Sequence, residues 1–317
     1  MAKLKFGVFL PFYAFKAYNS TEQYQRLKSA VQECDRLGYD SVWVDDHLMY
    51  NNTSILECWV TLSALAASTS RIRLGTMVTC SAHRNPGLLA KAAATLDVVS
   101  NGRLEFGIGA GIQEAEHLAY GFGFPKPSIR IAQMEEALEV IRRLWTYPKA
   151  SFQGKYYSLK DAICEPKPIQ KPRPPIVVGG SGEKHTLRVV AKYADRFDWG
   201  FLPSIEDYRR KLNVLHRYCQ LIGRDFSEIE QSCWPSGQIL VAHDQNDLVL
   251  KIAEFKPEGI SIDSFKQYTL VGTVEDCIRG FQAYADLGVT YFMLYFADLP
   301  NTDSLRLFKK AGACLFG

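Results

Sequence analysis

Ser41-Val42-Trp43-Val44-Asp45-Asp46-His47 is a short apolar run that ends in two carboxylates and an imidazole. Its first four residues suit a buried strand. Three consecutive polar side chains are too costly to bury unpaired, so the strand leaves the core at Asp45. Parallel α/β folds carry their chemistry at such carboxyl ends. A carboxylate beside a histidine is as often a cap or a satisfied hydrogen-bonded pair as a catalytic pair, and these residues alone leave both readings open.

Similar β-rich runs alternate with helical patterns along the chain, as βα units around a parallel sheet require. The strands are expected at residues 5–11, 41–46, 72–80, 104–109, 175–179, 196–202, 232–242 and 290–297. Helices are expected near 21–37, 54–69, 86–99, 184–194, 205–222, 246–254, 274–287 and 303–314. Leu37-Gly38 and Leu287-Gly288 read as helix exits, and Thr273 with Asp276 as a capping-box start. Eight βα units in 317 residues suit one closed α/β barrel with added segments, a (β/α)8 TIM barrel. The domain spans 1–317, with an insertion between strands 4 and 5 at about 114–174. Residues 114–145 hold a long helix after a Gly/Pro-rich stretch, and 151–175 reads as loop. A long connection inside a compact domain is a lid or binding loop more often than a linker.

With 47% apolar and 22% charged residues the chain is a soluble globular protein, not a disordered one. Its 37 Lys and Arg against 34 Asp and Glu give a net charge of +3, too small for general attraction to nucleic acid or an anionic membrane. Small molecules are the expected partners. The apolar run before Pro11 is too short for a signal segment or a membrane span, so the expected location is cytoplasmic. Eight cysteines form no C-x-x-C pair, and the histidines show neither H-x-H nor H-E-x-x-H spacing. No metal site is therefore expected, and the cysteines read as reduced packing residues. There is no G-x-S-x-G elbow for serine-hydrolase chemistry.

Two strand ends are rich in glycine. Gly107-Ile108-Gly109-Ala110-Gly111 lets backbone approach a ligand, at Ala110 and Gly111 in particular, but Ile112 replaces the last glycine of the dinucleotide fingerprint. A nicotinamide site is disfavoured. Gly179-Gly180-Ser181-Gly182-Glu183 precedes a helical pattern, and its free N–H groups suit a phosphoryl group; the plainer reading is a tight turn. Met77, Val78 and Thr79 end the third strand, where a planar ring could lie, though in isolation Met77 and Val78 read as core. His83 and Arg84, just beyond, suit an anion or a surface salt bridge.

Taken in order, Gly38 to His47, Arg73-Leu74-Gly75-Thr76, Ser100 to Gly111 and Gly179 to Lys184 resemble the bacterial luciferase-like monooxygenase superfamily. Thr186-Leu187-Arg188, Lys192 to Asp195 and Ile222 to Asp225 resemble its branch that uses the deazaflavin coenzyme F420. The resemblance implies a ring at the barrel mouth, a phosphate on the 179–183 loop, and a non-proline cis peptide at Met77-Val78. It also implies His47 as acid/base, Asp46 orienting it, and a homodimer. Ile112 stands where the sugar-phosphate dehydrogenases of the superfamily have an acidic residue, which argues against sugar-phosphate oxidation. It suggests an apolar pocket lined also by Phe12, Tyr13 and Trp43.

The expected function is hydride transfer between F420 and a small organic substrate. Two alternatives stay open: an FMN-dependent two-component monooxygenase served by a flavin reductase partner, and a non-catalytic flavin-binding protein.

Overall fold

Each of the eight expected strand regions holds a strand in the computed structural model, which describes residues 3–17 and 19–312. The strands are β1 (Lys5–Phe9), β2 (Ser41–Val44), β3 (Arg73–Thr76), β4 (Thr79–Cys80), β5 (Leu104–Gly109), β6 (Ala150–Gln153), β7 (Ser158–Ala162), β8 (Ile176–Gly179), β9 (Arg196–Asp198), β10 (Ser232–Cys233), β11 (Gln238–Ala242), β12 (Thr269–Thr273) and β13 (Tyr291–Leu294). The helices are α1 (Ser20–Leu37), α2 (Cys58–Ala67), α3 (Pro86–Val99), α4 (Glu114–Ala119), α5 (Pro127–Thr146), α6 (Thr186–Tyr193), α7 (Ile205–Leu221), α8 (Gln245–Phe255), α9 (Ile262–Tyr268), α10 (Val274–Ala285) and α11 (Asp303–Gly312). The last two positions of the helix expected at 303–314 lie outside the described residues.

Eight strands pair in the order β10-β13-β1-β2-β3-β5-β8-β9, all parallel, and β4 lies beside β5. Isolated parallel bridges, Arg196 to Glu230 and Phe201 to Trp234, cross the remaining seam. The sheet is therefore a nearly closed (β/α)8 barrel. Trp43, Val177, Tyr291 and Met293 fill its interior, while the larger apolar cluster lies between strands and helices. No described helix is long and apolar enough to cross a membrane.

Local chemistry sets the boundaries. Asn85 accepts hydrogen bonds from the Gly87 and Leu88 N–H groups ahead of α3, and Pro86 takes the first turn, where its missing N–H costs nothing. Thr273 and Asp276 form the reciprocal capping box that their spacing predicts. Helix α2 starts at Cys58, later than residue 54, because the Glu57 carboxylate caps the Val60 N–H at 2.7 Å.

Three expectations change. The 232–242 run is two strands, since Pro235 has no N–H to continue a ladder; β10 stays in the barrel and β11 pairs with the unanticipated β12. The segment read as loop contains the antiparallel hairpin β6–β7. Its turn is anchored by Glu136, which accepts the N–H groups of Lys155, Tyr156 and Tyr157. Residues 114–174 do lie between the fourth and fifth barrel strands, β5 and β8, but not all of them are added to the barrel. Helix α5 buries Met134, Leu138, Ile141 and Trp145, and Trp145 Nε1 donates to Ala90 O in α3 at 2.9 Å, so it belongs to the barrel's own outer layer.

Candidate active site

Strand β2 ends at Val44, and the next three residues diverge in role although all three lie at the barrel mouth. Asp45 is buried, with Oδ1 accepting the Phe12 N–H at 2.9 Å and Oδ2 without a partner. Burial pushes its carboxyl up to about 6. Asp46 accepts the Cys80 N–H at 2.9 Å and binds Arg84 through both oxygens, at 2.5 and 2.8 Å. It therefore ties the end of β2 to β4.

His47 turns elsewhere. Its Nδ1 lies 3.2 Å from Glu116 Oε2, and Glu116 Oε1 accepts the N–H groups of Leu48 and Met49. Burial alone would raise the Glu116 carboxyl, but the Leu48 N–H and His47 outweigh it and hold it below the usual range. The expectation that Asp46 orients His47 is thus corrected: α4 delivers Glu116 to that task, while both Asp46 oxygens are committed to Arg84 and Cys80. An ionised Glu116 only accepts, so Nδ1 carries the hydrogen and Nε2 is left for proton exchange.

The strand ends build one cavity beside this pair. Its lining includes His47, Met77, Val78, Ala110, Gly111, Gly179 and Gly180, all expected at a site, and Asp46 borders it as well. The Met77-Val78 peptide is cis. A Cβ at Gly109 or Gly179 would stand 2.6 or 2.7 Å from Val78 Cγ2, so glycine at both positions makes room for Val78. Thr79 is not part of the lining; its hydroxyl bonds to Thr76 at 2.9 Å. Ser181, Gly182 and Glu183 continue past Gly180 outside the lining.

Helix α6 begins at Thr186, two residues later than the sequence pattern suggests. The N–H groups of residues 181–185 find no acceptor among the described residues, which keeps this loop available to an anion. Lys211 Nζ donates to Ser181 O at 2.8 Å.

Among the aromatic residues, Phe12 and Trp43 are fully buried packing residues. Tyr13 stacks on Tyr50, which lies 5.3 Å from the His47 ring. Ile112 is 81% exposed at the rim.

The sequence reading missed Glu116, Cys80, His117, Asp198 and Trp199 in this lining. Glu114-Ala115-Glu116-His117 just after the glycine run was the available signal, but it does not tell which acidic residue faces inward. The sequence also gave no hint that Cys80, His83 and His117 gather their ligand atoms within 4.8 Å of one another. The seven described cysteines are unpaired and buried, as expected; Cys314 lies outside the described residues.

Comparison with known proteins shows the family and the fold. Residues 4–257 match the family model described as luciferase-like monooxygenase. An F420-dependent glucose-6-phosphate dehydrogenase of Amycolatopsis mediterranei is 35% identical over 58% of this chain and 55% of its own length, so the chain spans about half of that relative. A protein of the same name from Segniliparus rotundus is 33% identical over 92% of this chain and 93% of its own. The coenzyme F420-dependent tetrahydromethanopterin reductase of Methanopyrus kandleri shares the fold, with a TM-score of 0.78 at 19% identity over the whole of both chains.

Proposed function

Because the chain belongs to the luciferase-like monooxygenase family, we propose that it is an oxidoreductase moving hydride between coenzyme F420 and a small neutral organic substrate. The observation that carries this reading is the single cavity that joins the His47–Glu116 pair to backbone at Met77-Val78, Gly109–Gly111 and Gly179–Gly180. The F420-dependent relative matched over nearly its full length supports the deazaflavin over FMN.

The residues fit such a coenzyme. Backbone without Cβ atoms at Gly109 and Gly179 suits a flat ring, and the 181–185 N–H groups suit its phosphate. Bound there, the coenzyme would supply or accept the hydride. His47 moves the accompanying proton through Nε2, and Glu116 holds the tautomer that makes this possible. Asp46, through Arg84 and the Cys80 N–H, keeps the ends of β2 and β4 in register.

Substrate class follows from charge. The lining contains Glu116 and Asp198, together with Asp46, whose charge Arg84 offsets, and no Lys or Arg among the described residues. A sugar phosphate would bring its charge to Glu116 and Asp198 with no free cation in the lining, so the glucose 6-phosphate activity named for the relatives is not carried over. A neutral alcohol or carbonyl compound meets no such penalty.

The test mixes the protein with oxidised F420 and a panel of neutral alcohols beside glucose 6-phosphate, and with the reduced coenzyme and the matching carbonyl compounds, following the deazaflavin absorbance. Turnover is expected with a neutral pair and not with glucose 6-phosphate. Turnover on the sugar phosphate would overturn the substrate class, and coenzyme bound without any hydride transfer would overturn the activity.

A further inference from the structure

One group of side chains at the mouth has no part in proton or hydride movement. Cys80 lies on β4, His83 ends the short helical turn Ser81–His83 that follows it, and His117 lies on α4. Cys80 Sγ and His117 Nε2 are 3.6 Å apart. His117 Nδ1 is 2.8 Å from Gln113 O, and a carbonyl only accepts, so Nδ1 carries the hydrogen and the Nε2 lone pair points at the sulfur. A second-shell carbonyl fixes metal-binding histidines in this way. Both ring nitrogens of His83 are buried without a partner, a costly condition that calls for a missing one.

We propose that Cys80, His83 and His117 form a zinc site in the wall of the cavity. One sulfur and two imidazole donors suit Zn²⁺ and exclude the hard cations, which need oxygen. Tetrahedral zinc with a sulfur ligand at about 2.3 Å and a nitrogen ligand at about 2.0–2.1 Å has an S–N edge of about 3.6 Å, the spacing that Cys80 and His117 already hold. The outer limit of 4.8 Å for the set closes by moving the His83 ring, which no hydrogen bond retains.

On binding, the Cys80 thiol releases its proton to solvent and the sulfur binds as thiolate. Glu116, Asp46 and Arg84 face the group; the Asp46 and Arg84 charges offset each other in their ion pair, Glu57 adds to that pair, and the Glu116 carboxylate is left to favour a cation. Three protein ligands leave a fourth position for water from the cavity that Cys80 and His117 line. An occupied site ties β4 to α4, the helix that presents Glu116 to His47. This inference does not depend on the coenzyme reading, since its test uses the metal alone.

Chelator-treated protein is titrated with Zn²⁺ against a chromogenic indicator, and separately with Co²⁺. The expected result is one equivalent bound at submicromolar Kd, with a Co²⁺ spectrum showing tetrahedral bands and a thiolate charge-transfer band. Cys80→Ser, His83→Phe and His117→Gln should each weaken binding by at least about 100-fold, whereas His243→Gln, at an exposed histidine, should not. Circular dichroism checks that each variant is folded, and the Co²⁺ spectrum of the unaltered protein needs no variant at all. Absence of the thiolate band, or affinity unchanged in the folded variants, would overturn the proposal.

Discussion

The two ends of the barrel differ in how completely their buried polar groups are partnered. At the amino-terminal end Glu105 accepts from Arg73 and, at 2.7 Å, from Arg196; Arg196 also reaches Glu230 at 2.9 Å and lies 3.9 Å from the centre of the Tyr291 ring. There each of these charges has a counter-charge. At the carboxyl end Asp46 is paired with Arg84, but Asp45 keeps an oxygen without a partner, both His83 nitrogens lack one, and burial raises the Asp198 carboxyl. Saturated pairs hold a structure in one state, whereas groups left short of partners are ready to take a proton, a cation or a ligand. One end is built for stability and the other for chemistry.

The largest expected effect lies at the mouth. His47→Ala should cut turnover by roughly 10²–10⁴-fold while sparing coenzyme binding, the usual consequence of losing a general acid/base; steady-state kinetics beside a binding titration checks both halves. At the other end, Glu105→Ala leaves Arg196 short of a buried partner and should cost about 3–5 kcal/mol in denaturant unfolding. Turnover per folded molecule should not change. An effect of His47→Ala on stability alone, or of Glu105→Ala on turnover alone, would dissolve the contrast between the ends.

Asp45 gives the contrast a pH dependence. Its folded-state value of about 6 lies above the ordinary 3.8, so the protonated carboxyl favours the fold. That contribution is complete below about 3.8 and disappears as the pH rises through about 6. The rise corresponds to on the order of 3 kcal/mol. Asp45→Asn should therefore flatten the fall in stability between pH 4 and 6, read from unfolding curves across that range. An unchanged slope would mean that Asp45 ionises at its ordinary pH.

The smallest expected effect is at Glu116. Replacing it with Gln removes a charged hydrogen bond worth about 1.5–3 kcal/mol, and Glu116→Gln should lower kcat about 10–100-fold with an altered pH profile. A loss confined to KM would make Glu116 a substrate contact instead.

Much of this was legible in the chain because strand periodicity and helix caps are local. Ser41 to Val44 carries its own burial pattern, and Thr273 with Asp276 its own cap. The hairpin β6–β7 escaped notice because its strands are largely exposed and are held by a distant residue, Glu136. For the site, the strand-end residues were readable and their partners were not. Glu116 meets His47 across 69 positions, and His117 meets Cys80 across 37. No local pattern specifies which face of α4 turns toward the barrel. Asp46 misled for the same reason: adjacency to His47 in sequence suggested a pair, but consecutive side chains leaving a strand point apart, and Arg84 claims the carboxylate.

Separate fluorescence titrations of the purified protein with F420 and with FMN would settle whether the glycine-walled cavity beside His47 is a deazaflavin site. The account predicts micromolar or tighter binding of F420 that His47→Ala preserves, with FMN bound far more weakly. Tight binding of FMN with no binding of F420 would contradict it and direct attention to oxygen-dependent chemistry with a reductase partner.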